Sequence, residues 1–278
     1  ILGQDTANLS LAQLGMSDHI LQPMRRAVRK PHGIVLVTGP TGSGKSTTLY
    51  AALRELDANE LNILTVEDPI EQVVAGTGQV QVSEKVSFAK ALRSFLRHDP
   101  DVMLVGEIRD KETAETAVRA AMTGHMVLST LHTNSAVASI NRLVDIGCPR
   151  YLIASTLVGI LAQRLLRKLC TACKKPRPAT PSEQRQLQVK EAVTLYDPCG
   201  CAQCLGSGFK GRTGIYETLW IDSKMEALIH QGADDEALTR YANEHQLLST
   251  LWQASREKVL DGSISLHEAM HLHQEPQE

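Results

Sequence analysis

The 278-residue chain predicts an α/β fold, a mostly parallel sheet with helices on both faces. Three observations lead there. Short apolar runs of β-formers alternate with amphipathic stretches over residues 31–169. A glycine-rich octapeptide follows the first of these runs and opens a helix-prone stretch. Polar residues able to carry chemistry recur where later runs end, which is where ligand loops sit in such sheets.

Taken in order, residues 1–30 read as a linker followed by a helix. Ser17 or Asp18 is its expected N-cap, with Ile20, Leu21, Met24, Ala27 and Val28 at helical spacing. Residues 34–38 form the first strand, and 47–54 continue as helix. Strands are expected at 62–66 and 79–82, and Ser87 caps a helix running to about His98. Another strand covers 102–105. Over 111–122, Ala114, Ala117, Val118, Ala121 and Met122 share a face, and Gly124 stops the helix. Residues 126–131 return as strand. Between 170 and 211 the texture turns to Pro, Gly and Cys, with one helical patch at 182–193. From Asp222 onward the pattern is of short helices, with capping-box signatures at Ser223/Glu226 and Ser265/Glu268.

Composition fits an ordinary globular enzyme large enough to bury a sizeable core. A net charge of −2 gives no overall pull toward nucleic acid or acidic lipid. The longest apolar stretch, 151–162, is broken by Ser155, Thr156 and Gly159 and falls short of the roughly 20 residues that a bilayer span needs. Residues 1–5 show neither the basic nor the apolar region of a signal peptide. The expectation is a cytoplasmic protein, and the absence of an initiator Met suggests that the natural N-terminus lies upstream.

The octapeptide is Gly39, Pro40, Thr41, Gly42, Ser43, Gly44, Lys45 and Ser46, a full Walker A loop set between strand and helix. Its glycines let backbone N–H groups turn toward phosphate oxygens, and the helix that begins there adds its positive end. Lys45 is expected on the β- and γ-phosphates of ATP. The Ser46 hydroxyl is expected on Mg²⁺, with Thr47 completing the nucleotide-binding set. Glu67, Asp68 and Glu71 come directly after the second strand. Carboxylates beside a phosphate loop can hold the Mg²⁺ water shell or orient the attacking water, whereas alone they would be a solvated acidic turn. The run 101–110 has the apolar strand of a Walker B motif, yet Gly106 stands where many P-loop ATPases place the acid, leaving Glu107 at the strand tip. His132 comes after the 126–131 strand, where an imidazole can donate to a γ-phosphate, and His125 begins it. Arg93 and Arg97 share a helix face, and Arg109 lies two residues past Glu107. Arg109 and Arg97 are the candidates for charge stabilisation, which such sites often draw from a neighbouring subunit.

These boxes together resemble, in order and spacing, the secretion ATPase family over about residues 9–260. Its members are the hexameric motors of type II secretion and type IV pilus assembly, and the boxes are known there as Walker A, Asp box, Walker B and His box. The resemblance implies a RecA-like P-loop NTPase core, a homo-hexamer, and docking from the cytoplasm on an inner-membrane platform protein and a cytoplasmic adaptor. It also implies a further N-terminal domain, absent here, whose arginines help close the nucleotide site. No nucleic-acid partner is expected.

Cys170, Cys173, Cys201 and Cys204 form two Cys-x-x-Cys pairs separated by residues 174–200. Two such pairs suit a structural, tetrahedral Zn²⁺ site, and disulfides are unexpected in a cytoplasmic chain. Cys199 could compete as a ligand, and Cys148 reads as a buried bystander. The segment 206–217 resembles the stretch after the tetracysteine motif in the family's assembly and secretion branch; retraction motors generally lack that insertion. The expected organisation is therefore a linker and helix at 1–30, the ATPase core at 31–169, a tetracysteine zinc-binding insertion at 170–211, and a strand with a C-terminal helical subdomain at 212–278.

The function expected is an ATP-hydrolysing cytoplasmic motor for pilin or pseudopilin assembly, with Glu107 and Glu67 sharing the Mg²⁺ water shell and the attacking water. Two rivals belong to other classes. A RecA-like nucleic-acid translocase would show DNA-stimulated hydrolysis, and a nucleotide-dependent adaptor would bind ATP without turnover.

Overall fold

Strand β1 (Gly33–Thr38) is buried along its whole length and apolar on both sides, as a central parallel strand must be. Its side chains alternate. Ile34 and Leu36 enter one apolar cluster, Val35 and Val37 the other. The computed structural model describes residues 9–274; residues 1–5, read above for a leader, lie outside them.

The chain folds as two compact units, residues 1–163 with 216–249 and residues 164–215 with 250–278. In the first, α1 (Asp18–Val28) buries Ile20, Leu21, Met24, Ala27 and Val28 as its spacing predicts. After β1 comes α2 (Lys45–Arg54). Then come β2 (Ile63–Glu67), β3 (Gly78–Gln81), α3 (Phe88–Phe95), β4 (Val102–Val105), α4 (Lys111–Met122), β5 (Met126–Leu131), α5 (Ala136–Asp145) and α6 (Arg150–Thr156). Two long strands, β6 (Leu157–Leu169) and β9 (Phe209–Trp220), contribute residues to both units, and α8 (Ser223–Gln231), α9 (Asp235–Glu244) and β10 (Leu248–Ser249) complete the first. The eight-stranded sheet runs β10-β9-β6-β1-β5-β4-β2-β3. Strands β1 through β6 pair in parallel, and β9 and β10 add an antiparallel edge. Helices α1 and α2 pack on one face, and α3 to α6, α8 and α9 on the other.

In the second unit, β7 (Lys175–Pro178) and β8 (Thr194–Asp197) form an antiparallel pair around α7 (Pro181–Gln186). Helices α10 (Leu251–Leu260) and α11 (Leu266–Gln274) bury Ala254, Val259, Leu266 and Ala269 against Leu166, Leu187, Leu195 and Ile215.

Local differences from expectation have physical causes. The apolar run 151–162 splits between α6 and β6, and among the described residues no helix is long and apolar enough to cross a membrane. Met122 is 55% exposed rather than on the buried face, because it ends the helix where α4 gives way to Gly124. Helix α7 stops at Gln186, well before 193. Its neighbour β7 escaped notice because Pro176 and Pro178 argue against a strand, though both are tolerated in a two-stranded pair that leaves an edge open. Asp222, not Ser223, caps α8, accepting from the Met225 N–H. Ser265 does accept from Glu268 N, while the Glu268 carboxylate goes to Arg167.

Candidate nucleotide and metal sites

Parallel register brings the carboxyl ends of β1, β5, β4 and β2 to one edge: Thr38 faces Leu131, Val105 faces Ser129, and Val66 faces Val105. The Walker loop leaves β1 there, His132 leaves β5, Glu107 comes after β4 and Glu67 ends β2. Gly39, Gly42 and Gly44 all have positive φ (143°, 79° and 88°), which the nest-like turn requires and L side chains resist. Thr41 and Gly42 are exposed at the crest, and Thr47 is half-buried on α2. Lys45 is buried, its Nζ donating to the carbonyls of Gly39 (2.8 Å) and Pro40 (2.9 Å), so the ammonium lies inside the loop's curl. Ser43 Oγ is buried with no hydrogen bond. A cradle of turned amides, an enclosed ammonium and an unpaired buried hydroxyl suits phosphate oxygens. Thr38 and Thr133 join Oγ1 to Oγ1 at 2.7 Å, tying the start of the loop to the turn carrying His132.

The two acids chosen from sequence have different surroundings. Glu67 is buried, and both its oxygens are engaged: Oε1 accepts from Thr65 Oγ1 (2.6 Å) and Gln79 Nε2 (3.1 Å), Oε2 from the Tyr50 hydroxyl. Burial, then the bond to Glu67, pushes the Tyr50 phenol above its ordinary value, so it stays a donor. Glu107 presents its carboxylate differently. Oε1 pairs with Arg109 Nη2, while Oε2 is buried without a hydrogen bond, the His132 Nε2 lying 3.3 Å away out of alignment. The hydrogen bond to Glu107 holds the Arg109 guanidinium firmly protonated. Gly106 also finds its reason. A Cβ there would come to 3.3 Å from Glu67 Cα, Val66 O and Phe88, so a side chain at this position would need β2 to give by a few tenths of an ångström.

Glu71, read in the sequence only as one member of the acidic cluster, is the Asp-box acid that reaches the Walker loop. Its Oε1 accepts from Ser46 Oγ at 3.3 Å and its N–H donates to the Tyr50 hydroxyl (3.1 Å). Tyr50 was missed altogether. The available signal was its position four residues after Ser46, hence on the same face of α2. Arg97 is exposed beyond the end of α3, beside His98, whose carbonyl accepts from Asn62 just before β2. That is the opposite edge of the sheet, and Arg97 is not brought to the loop within this chain. Arg93 pairs with Glu112 at 2.7 Å on the surface. His125 also stays at the far edge, its Nδ1 2.9 Å from Ala120 O.

In the second unit the Sγ atoms of Cys170, Cys173, Cys201 and Cys204 all lie within 4.8 Å of one another. Three pairs stand at 3.9, 3.7 and 3.7 Å. Zn–S bonds of about 2.3 Å in a tetrahedron place sulfurs about 3.8 Å apart, so the set fits zinc. Backbone N–H groups of Gly200, Cys201 and Gly208 point at the sulfurs of Cys173 and Cys204 at 3.2–3.3 Å. Burial opposes thiolate formation at Cys204, but the N–H groups of Cys201 and Gly208 and the neighbouring thiols outweigh it and bring the thiol to about 6. Cys173 is pushed to about 11, chiefly by burial. One thiolate among four close sulfurs is a ready first ligand. Cys199 is exposed and outside the cluster, and Cys148 is buried.

The Type II/IV secretion system protein family model matches residues 1–271. Type II secretion system protein E of Klebsiella pneumoniae is 48% identical over 99% of this chain and 56% of its own length. Type II secretion system ATPase E of Vibrio cholerae is 49% identical over 99% and 55%. The chain thus spans about half the length of the curated relatives it matches. Among solved structures, the pilus retraction motor PilT with bound ADP has a TM-score of 0.72 at 34% identity, over 97% of this chain and 68% of that one. The Legionella pneumophila ATPase DotB scores 0.69 at 25%, over 95% and 66%. Agreement of this extent, across motifs that have no reason to recur together by chance, has one reading: the chain belongs to the Type II/IV secretion system protein family.

Proposed function

We infer that this chain is the ATP-hydrolysing region of a cytoplasmic motor for pilin or pseudopilin assembly, in type II secretion or type IV pilus biogenesis. It works as a homo-hexamer peripheral to the inner membrane, engaging a platform protein and a cytoplasmic adaptor. The observation that carries this reading is the Walker loop, with Lys45 enclosed and Ser46 against Glu71, at the same sheet edge as Glu107 and His132. The relatives named for type II secretion and the similarity to the ADP-bound motor PilT favour it further.

The division of labour depends on which groups have free valence. Lys45 and the loop amides bind the phosphates. Ser46 would hold Mg²⁺, with Glu71 and Glu107 near its water shell, and the ion when bound would neutralise charge on the phosphates. Glu107 and Glu71 are the acids with capacity left to accept a proton or orient water, because Glu67 already accepts from three donors. His132 donates toward γ-phosphate oxygens. Arg109 leaves Glu107 for developing negative charge, and Arg97, at the far edge, serves a neighbouring subunit's site. Cys170, Cys173, Cys201 and Cys204 hold a structural Zn²⁺.

Calorimetry with MgADP tests this. The metallated chain binds nucleotide, and Lys45→Ala weakens binding by about tenfold or more. Full turnover in Lys45→Ala, or no uptake by the wild-type chain, would end the proposal. Hydrolysis in assembled rings separates it from a binding-only adaptor, and the absence of DNA stimulation separates it from a translocase.

A further inference from the structure

We propose that Tyr50 is a positioning residue for turnover, its hydroxyl fastening the Asp box to the Walker helix. The inference rests on the nucleotide reading above and deepens it. Tyr50 is 1% exposed, and one helical turn separates it from Ser46, so both project from the same face of α2. Helix α2 begins at Lys45, which makes it the rigid body that carries the phosphate contacts.

The phenol serves the two ends of the box in opposite senses, and the Gln72 N–H is directed at it as well. It donates to Glu67 Oε2, and it accepts the Glu71 N–H at 3.1 Å. Those partners bracket the turn that is the Asp box. Glu71 is thereby attached to α2 twice, through its backbone by Tyr50 and through its carboxylate by Ser46 at 3.3 Å. The second attachment is the weaker of the two, since Ser46 is the hydroxyl that would hold Mg²⁺ and would then share its oxygen between the ion and Glu71. The first uses only main chain and a buried phenol, so it persists whatever Ser46 does.

The far side of the box is fastened too. Gln79 Nε2 donates to Glu67 Oε1 (3.1 Å) and Gln72 O (2.9 Å), and its Oε1 accepts from Val74 N (2.8 Å). Glu71 itself is exposed and Val73 is 86% exposed; the buried apolar anchor of the loop, Val74, lies three residues beyond Glu71 and leaves the acid itself without apolar packing. Polar ties are what hold Glu71 in register with the loop. A displacement of about 1 Å at a group that orients water or the metal shell can cost on the order of a hundredfold in rate.

Tyr50→Phe removes one oxygen from a fully buried ring and leaves its packing. The expected result is kcat lower by about tenfold or more, with KM and MgADP affinity within about twofold, because Lys45 and the loop amides are untouched. Hydrogen exchange at the Glu71 amide should quicken by at least about tenfold, whether or not nucleotide is bound. The double variant Tyr50→Phe with Glu67→Gln removes the carboxylate charge left without its phenol donor. It keeps the exchange measurement available should the single variant fold poorly, and there too the Glu71 amide must quicken. Unchanged kcat, unchanged exchange at Glu71, or a loss that appears equally in nucleotide affinity would overturn the assignment. A wild-type chain that neither binds nor hydrolyses ATP would overturn the functional reading, and the catalytic part of this one with it. Wild-type activity with a normal Tyr50→Phe would overturn this one alone.

Discussion

Two carboxylates of one pentapeptide, Glu67 and Glu71, show how a residue's surroundings decide its task. Glu67 lies at the strand end and is saturated by Thr65, Gln79 and Tyr50, whereas Glu71, farther along the turn, faces Ser46 with capacity to spare. Replacement should therefore fail in different ways. Glu107→Gln and Glu71→Gln should each cut turnover by about a hundredfold, the scale of a lost acid–base group, while the melting temperature barely moves. Glu67→Gln should instead cost stability, by about 1–3 kcal/mol, because an amide cannot accept from three donors as a carboxylate does. Steady-state kinetics beside thermal melts of the three variants checks this. A stable, inactive Glu67→Gln would return that residue to the catalytic role the sequence suggested. At this scale the sequence identified every acid and preferred Glu67 with Glu107; the donors that engage Glu67, brought from residues 50, 65 and 79, could not be read there.

Among elements, legibility tracked regular apolar period more than burial, for buried β6 and α5 went unread while the more exposed β3 did not. Helices α1 and α4 and strands β1, β4 and β5 were readable because each presents a long apolar pattern whose period matches its geometry. The hairpin of β7 and β8 has no such pattern: of its residues Leu195 is buried, and charge ties the two strands. Arg177 bonds Glu183 (2.6 Å) and Asp197 (2.6 Å) across it, while Glu183 also closes the Thr180 capping box of α7. The hydrogen bond from Arg177, against the opposing effect of burial, draws the Glu183 carboxyl from 4.5 to about 2. A depressed acid stabilises the fold above its unfolded value and loses that contribution as pH falls through its folded value. The stability difference between wild type and Glu183→Gln should therefore be complete at about pH 6, shrink below about 4.5 and vanish near about 2. Paired melts across that range would show it; a difference independent of pH would mean the ion pair contributes nothing.

For the whole molecule, two units with separate cores imply separable losses. The four cysteines join two distant chain segments, and a structural zinc contributes folding energy outright. Elemental analysis should find about one zinc per chain. Cys201→Ser, or exhaustive chelation, should abolish it and expose residues 164–215 to protease, while MgADP binding by the Walker loop survives. A folded, metal-free wild type would refute the zinc reading.

The sequence by itself determined the chemistry on offer: a phosphate loop between strand and helix, acids and imidazoles at strand ends, four paired cysteines. Those obey local rules of backbone freedom and hydrophobic period, which need only neighbours along the chain. The tertiary structure alone decided allegiance: that Gly106 is crowded by β2, that Arg97 and His125 stand at the edge opposite the loop, that Tyr50 bonds both ends of the Asp box. Hydrogen bonds and close approaches act over about 3 Å between residues far apart in sequence, and no periodicity along one dimension encodes them.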